Sequence, residues 1–198
     1  MTKGKTRTQE ELEEKRLEIA HAAAELFFRN GFNETSVSQI ASAAGIGKST
    51  LYDFFKSKDE IILLLLDDPL AEVRTRAKVI AENSATPFER ISQILHMHME
   101  VLMRDRAAIF KLFFEFQRLP LGVQARHEVK RQAYQDLLVD LINEGIADGS
   151  FRMVDADMVM KSLLSILSSV LMTRRPAGTP TVMLDKALDI ILKGVQQT

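Results

Sequence analysis

Residues 43–60 read AAGIGKSTLYDFFKSKDE, and Gly47, Lys48 and Ser49 spell the letters that close a nucleotide-binding P-loop. Such a loop needs Gly-x-x-x-x-Gly-Lys-Ser/Thr directly after a strand, so that successive backbone N–H groups curl around phosphates. Five positions before Gly47 stands Ser42, not glycine. The residues ahead of it, Val37, Ile40, Ala41 and Ala44, recur at i, i+3, i+4 and i+7, the period of an amphipathic helix and not of a strand. Gly45 therefore needs another reading. Between two short helices it permits positive φ and a sharp turn, the joint of a helix-turn-helix. Ile40, Ala41, Ile46, Leu51 and Phe55 then form a small shared core, which leaves Lys48, Ser49, Tyr52 and Asp53 facing away from it. The first turn of such a second helix presents free N–H groups and a positive dipole end to phosphate, and its side chains suit base edges in a major groove. The phosphate implied is that of a DNA backbone.

Working outward, nearly every segment reads as helix. Thr8-Gln9-Glu10-Glu11, Ser36-Val37-Ser38-Gln39, Ser57-Lys58-Asp59-Glu60 and Thr86-Pro87-Phe88-Glu89 each match the capping box, whose side chains satisfy orphan N–H groups at a helix start. The pattern predicts helices near 9–30, 37–44, 48–55, 58–82, 87–104, 106–119, 124–148, 156–175 and 181–195, with no convincing alternating strand, so the fold class is all-α. Asn30-Gly31 and Asp148-Gly149 read as stops. Pro69 should kink or break the fourth helix just after Asp68. The division expected is a three-helix DNA-binding domain over 1–57 and a helical ligand-binding and dimerisation domain over 58–198.

Composition narrows the function. The chain has 198 residues, 46% apolar and 27% charged, with no cysteine, which excludes disulfides, thiolate metal sites and a cysteine nucleophile. The longest uncharged apolar runs, 61–66 and 162–173, fall short of the ~20 residues of a membrane helix, and no secretory h-region follows the charged start, so no membrane partner and a cytoplasmic location are expected. A net charge of -1 gives no global attraction to nucleic acid, and residues 1–60 carry nine Lys/Arg against ten Asp/Glu. Any footprint on DNA is local. Lys3, Lys5 and Arg7 precede all the acids and form a candidate basic arm.

The run Ile19-Ala20-His21-Ala22-Ala23-Ala24-Glu25-Leu26-Phe27, then Gly31-Phe32, Thr35-Ser36-Val37, Ile40-Ala41, Ala44-Gly45-Ile46, Lys48, Leu51-Tyr52, Phe55 and Lys56-Ser57-Lys58-Asp59 resembles the DNA-binding domain of the tetracycline-repressor (TetR/AcrR) family. The resemblance implies DNA contacts from Ser36 at the start of the second helix and from Lys48, Ser49, Thr50 and Tyr52 on the recognition helix. It also implies a phosphate contact from Lys58, and, for the rest of the chain, helices that bind a small ligand and form a homodimer. Three positions depart from the family pattern: Gly47 replaces a serine cap, Ser49 stands at a usual glycine, and Asp53 with Phe54 occupies positions often polar or aromatic. Asp53 repels phosphate but can accept from cytosine N4.

Beyond that domain, His98 shares a helix face with Ile91, Leu95 and Leu102, and Tyr134 lies in line with Leu137, Leu138 and Leu141. Each is either a core residue or a polar anchor in a ligand pocket. His96 and His98 diverge on a helix, so no metal site is expected. The sixth helix is apolar nearly all round, with Lys111, Glu115 and Arg118 as its wet stripe, and is expected to be buried. A cavity lined by His98, Met99, Leu102, Met103, Phe110, Phe113, Phe114 and Tyr134 would take a bulky apolar effector. Leu163, Leu167 and Val170, with Leu188 and Ile191 of the last helix, are read as a four-helix dimer seam. No nucleophile with a placed base, carboxylate pair or metal cluster supports catalysis, and no cofactor is expected. The reading is a repressor that binds a palindromic operator as a homodimer and is released by a small hydrophobic effector. Its rivals are a helical ligand-binding or scaffold protein without specific DNA binding, and a small hydrolase or lyase using His98.

Overall fold

A computed structural model describes residues 8–174 and 176–196; the candidate arm of Lys3, Lys5 and Arg7 lies outside them. Among the described residues the elements are α1 (Gln9–Asn30), α2 (Val37–Ala43), α3 (Lys48–Phe54), α4 (Lys58–Ala81), α5 (Pro87–Arg104), α6 (Arg106–Phe116), α7 (Leu121–Ala147), α8 (Ala156–Met172) and α9 (Pro180–Val195). No strand accompanies them, only an isolated bridge between Phe151 and Gln196.

The caps set these boundaries. Thr8, Ser36 and Thr86 each complete the expected capping box. Ser57 forms a variant: its hydroxyl accepts from the Glu60 N–H at 3.4 Å, while the Glu60 carboxylate accepts from the Lys56 N–H, one residue further back. Each side-chain cap contributes about 1 kcal/mol to its helix. Pro69 does not break α4, which runs unbroken to Ala81.

The chain divides into two compact units, and the division is not the sequential one expected at 57/58. The first takes the described residues up to Asp68 together with Lys111–His127; the second takes Pro69–Phe110 and the described residues from Glu128. The crossings therefore fall inside α4, α6 and α7.

In the first unit Ile19, Ala23 and Phe27 of α1, Ile40 of α2, Leu51 of α3 and Ile61 of α4 are fully buried against one another. The residues of α6 that join this core are Leu112 and the partly buried Phe116, followed by Leu119 and Val123. The burial expected around the whole of α6 fails at Phe113 and Phe114, which are 43% and 51% exposed, and the expected wet stripe fails at Glu115, which is buried. The reason is local: a carboxylate oxygen of Glu115 accepts the Phe32 N–H at 3.2 Å, while Lys111 and Arg118 of the same stripe stay exposed.

In the second unit Ile91, Ile94 and Leu95 of α5 pack with Leu138 and Ile142 of α7, Leu163 of α8 and Leu184 and Leu192 of α9, all without exposed surface. Two arginines tie the ends together. Arg90 donates to the Ala81 carbonyl at 2.8 Å and pairs with Glu144, and Arg106 donates to the Leu171 and Thr173 carbonyls that end α8. Gly145 lies so close to Phe151 that a side chain there would enter the phenyl ring, and Phe151 is accordingly buried where α7 passes into the link to α8. Asp155 then caps α8, accepting from the Met158 N–H at 3.0 Å.

A candidate nucleic-acid interface and a buried polar pair

Between α2 and α3 the chain turns by a Schellman motif. The Ile46 N–H donates to the Ala41 carbonyl at 3.0 Å and the Gly45 N–H to the Ser42 carbonyl at 3.1 Å, with Gly45 at φ +66°. A side chain on Gly45 would meet nothing within 4 Å, so glycine is required there by the backbone and not by crowding. Beneath the turn Ile40, Ala41, Leu51 and Phe55 are buried and Ile46 is partly so, as the sequence leads one to expect. Phe54 is buried as well, and Arg16 closes the end of α3 by donating to the Phe54 carbonyl at 2.9 Å while lying 4.7 Å over the Phe55 ring. Spacing alone gives no sign of that arginine.

The opposite face of α3 is open. Lys48, Ser49 and Asp53 are exposed, Thr50 is partly exposed, and Tyr52 is 48% exposed, a large share for an aromatic side chain. Gly47 caps α3 with extended backbone and no side-chain hydrogen bond, so the first N–H groups of this helix keep no intrahelical acceptor. A short rod with a free positive end, one cation, two hydroxyls, a phenol and one carboxylate on one side can meet phosphates and read base edges.

The other two residues of the expected footprint are already engaged. The Ser36 hydroxyl accepts from Gln39 N–H and donates to Gln39 Oε1, so its first duty is the start of α2. The Lys58 ammonium donates to the Phe32, Asn33 and Thr35 carbonyls at 2.5, 3.1 and 2.9 Å and sits 4.5 Å over the Phe32 ring. All three of its protons are directed into the loop after α1, and burial lowers its pKa despite the nearby carboxylates of Asp59 and Glu34. A phosphate reaching Lys58 through its ammonium must compete with three carbonyls.

The second unit holds the other candidate. His98 Nδ1 lies 3.0 Å from the Tyr134 hydroxyl, with the two rings edge to face at 5.3 Å. Burial pushes His98 down to about 4, helped by the charge of Arg131, and pushes the Tyr134 phenol well above its ordinary value. Both are neutral near pH 7. Met99 is buried and Leu102 and Met103 are partly buried, packed with the same core cluster; Phe110 is partly buried in this unit too. Phe113 and Phe114 belong to the first unit and stand exposed, with their rings edge to face at 6.0 Å.

Of the residues expected at a dimer seam, Leu163, Leu167, Val170 and Leu188 are buried in the core of their own chain and Ile191 is partly exposed. What these helices show outward is Met158 at 57% and Ile190 at 74% exposure, beside Ser162, along a shallow groove whose walls also include Val154, Ile191 and Gly194.

His96, set aside as a metal ligand, bridges α5 and α9: Nε2 lies 2.7 Å from Asp185 and Nδ1 2.8 Å from the Ser92 carbonyl. The described residues include no group of three or more His, Cys, Asp or Glu side chains placed to hold a metal ion. None of their helices is long and apolar enough to cross a membrane.

Comparison with known proteins agrees with this geometry. Residues 19–65 match the family described as "Bacterial regulatory proteins, tetR family", and residues 84–195 match "Tetracyclin repressor-like, C-terminal domain". The "HTH-type transcriptional repressor KstR2" of Mycolicibacterium smegmatis is 28% identical over 188 residues, covering 93% of this chain and 92% of its own. The "Fatty acid metabolism regulator protein" of Bacillus subtilis is 25% identical over 138 residues, 70% of this chain and 71% of its own. Among solved structures, the ketosteroid transcriptional regulator KstR2 of Mycobacterium tuberculosis superposes with a TM-score of 0.72 at 27% identity and covers the whole of both chains.

Proposed function

The chain belongs to the tetR family of bacterial regulatory proteins, and from that premise we propose that it is a repressor whose homodimer holds a palindromic operator until a small hydrophobic effector enters the second unit and releases it. The observation that carries this reading is the outer face of α3. Tyr52, Lys48, Ser49 and Asp53 stand in solvent over a helix pinned by a buried core and a glycine-dependent turn, an arrangement with no use inside the chain itself. Thr50 stands at the edge of that face. Ser36 and Lys58 belong to the footprint as residues that shape it: the Ser36 N–H and hydroxyl both bond Gln39 at the start of α2, and the Lys58 ammonium holds the loop after α1.

The effector reading rests on the second unit, where His98 and Tyr134 are the polar pair amid Met99, Leu102, Met103 and Phe110. Two relatives bear names that speak of apolar carbon skeletons, fatty acids and ketosteroids. A long-chain or polycyclic apolar compound is the class proposed here. His98 acts by binding: its partner is a phenol and among the described residues no carboxylate is hydrogen-bonded to it, so a bound compound should be recovered unchanged. The site of action is the cytoplasm.

Two measurements test the proposal. Genomic fragments retained by the purified protein should yield a palindromic motif on sequencing, and operator affinity should fall when fatty-acyl or steroidal compounds are added. Retention of random fragments without a shared motif would remove specific DNA recognition and leave a ligand-binding protein.

A further inference from the structure

Tyr134 is buried, and among the described residues its hydroxyl has one hydrogen-bond partner, His98 Nδ1 at 3.0 Å. That fixes the direction of the bond. If Nδ1 carried the proton and donated to the phenol oxygen, the phenol's own hydrogen would be left in an apolar core without an acceptor. If the phenol donates, its hydrogen is satisfied and Nδ1 uses its lone pair. The remaining proton of the neutral imidazole then sits on Nε2. Nε2 has no hydrogen-bond partner among the described residues, yet it is not sealed off, for His98 keeps partial exposure. Burial lowers the pKa of the same ring to about 4, so near pH 7 it is neutral and Nε2 carries its one proton. A neutral ring with an accessible edge, held beside the buried Tyr134, is a polar contact point for a ligand.

We infer that His98, oriented by Tyr134, presents its Nε2–H at that edge as a fixed donor for an uncharged carbonyl oxygen on the effector, as in a ketone, ester or thioester. The inference rests on the reading of the second unit as the effector site and adds the functional group recognised. A hydroxyl pays for its own hydrogen with no acceptor opposite, and a hydrocarbon leaves Nε2–H unpaired. The charged group that bears on His98 is Arg131, one turn before Tyr134 and paired with Glu128 at 3.0 Å. It is the feature by which a carboxylate could compete.

The test uses the full chain without DNA. Displacement of the neutral dye N-phenyl-1-naphthylamine is followed with 2-undecanone, undecane and decanoate. The ketone should bind roughly five- to tenfold more tightly than the alkane, the worth of one net hydrogen bond. His98→Leu should erase that ratio and His98→Gln, whose amide can donate, should keep part of it. Equal affinity of the natural protein for ketone and alkane, or a preference for decanoate over the ketone, would overturn the inference. Should His98→Leu not fold, 15N spectra of histidine-labelled natural protein decide independently: the His98 signals, assigned by their loss in His98→Gln, should show protonated Nε2 and bare Nδ1. A proton on Nδ1 sinks the proposal. A ketone that binds through His98 but leaves the operator bound would instead contradict the release reading and leave this one standing.

Discussion

At the scale of single residues, charge decides what each side chain on α3 can do. Lys48 is exposed near the free end of the helix and suits a phosphate, which is the same in every sequence. Lys48→Ala should therefore weaken binding to specific and random duplexes alike and reduce the slope of log affinity against log salt by about one unit; an unchanged slope removes it from the footprint. Asp53, almost one and a half turns further along α3, is exposed but repels phosphate, so its contribution must come from a base edge. Asp53→Asn should shift the preferred base pair in each half-site by ~1 to 3 kcal/mol, and an identical selected motif for both proteins would make Asp53 plain surface. In the second unit His98 supplies a pH signature. Its folded pKa of about 4 lies below the ordinary 6.5, so above pH 6.5 both folded and unfolded states leave it neutral and stability is full. Between 6.5 and 4 the unfolded state takes up a proton that the folded state refuses, and about 3 kcal/mol should be lost over that window. Denaturant midpoints at pH 7.5 and 4.5 should therefore converge more closely for His98→Gln than for the natural protein; parallel curves would mean that His98 is hydrated in the folded state.

At the scale of elements, starts and stops were legible because capping is local. Thr8, Ser36 and Thr86 announce their helices within four residues, and Gly45 announces a positive φ that the backbone adopts at +66°. Gly45→Ala should cost about 1 kcal/mol, from backbone strain alone since its added carbon meets nothing. Gly45→Asn should cost less. If thermal unfolding shows Ala and Asn equal to glycine, the turn does not hold this conformation. Which face of a helix is buried was legible only where one face is apolar. The α5 stripe reads correctly at the buried Ile91 and Leu95, with His98 partly buried below them, whereas α6, apolar nearly all round, offers no preferred side. The choice is made by a distant partner, the Phe32 N–H that takes Glu115 inward and leaves Phe113 and Phe114 out. The same limit holds for α8, whose Leu163, Leu167 and Val170 share one core with residues of α5, α7 and α9. Periodicity records that a face is apolar, and only packing records what lies against it.

At the scale of the whole molecule the question is how an effector in one unit changes DNA binding in the other. A dimer must hold its recognition helices about 34–36 Å apart to enter successive major grooves, so release requires only that this spacing change. The chain passes from the first unit to the second inside α4 between Asp68 and Pro69, and the proline removes the N–H that would bond the Leu65 carbonyl. Ahead of that point α4 is fastened to the first unit by Lys58, whose ammonium binds three carbonyls, and by the buried Ile61 and Ile62. Beyond it, Val73 and Ala77 are buried in the core of the second. One helix is thus anchored at each end in a different unit and weakened at the junction. We expect Pro69→Ala, which restores the missing donor, to stiffen the junction. It should alter the coupling free energy between effector and operator more than it alters effector affinity alone. Operator affinity with and without a bound apolar compound, for both proteins, gives the two coupling values, and linkage requires the same values from effector affinity measured with and without operator. Equal coupling in the two proteins would show that the proline takes no part in the switch. Zero coupling in the natural protein for every compound the second unit retains would remove effector release altogether, whatever the junction does.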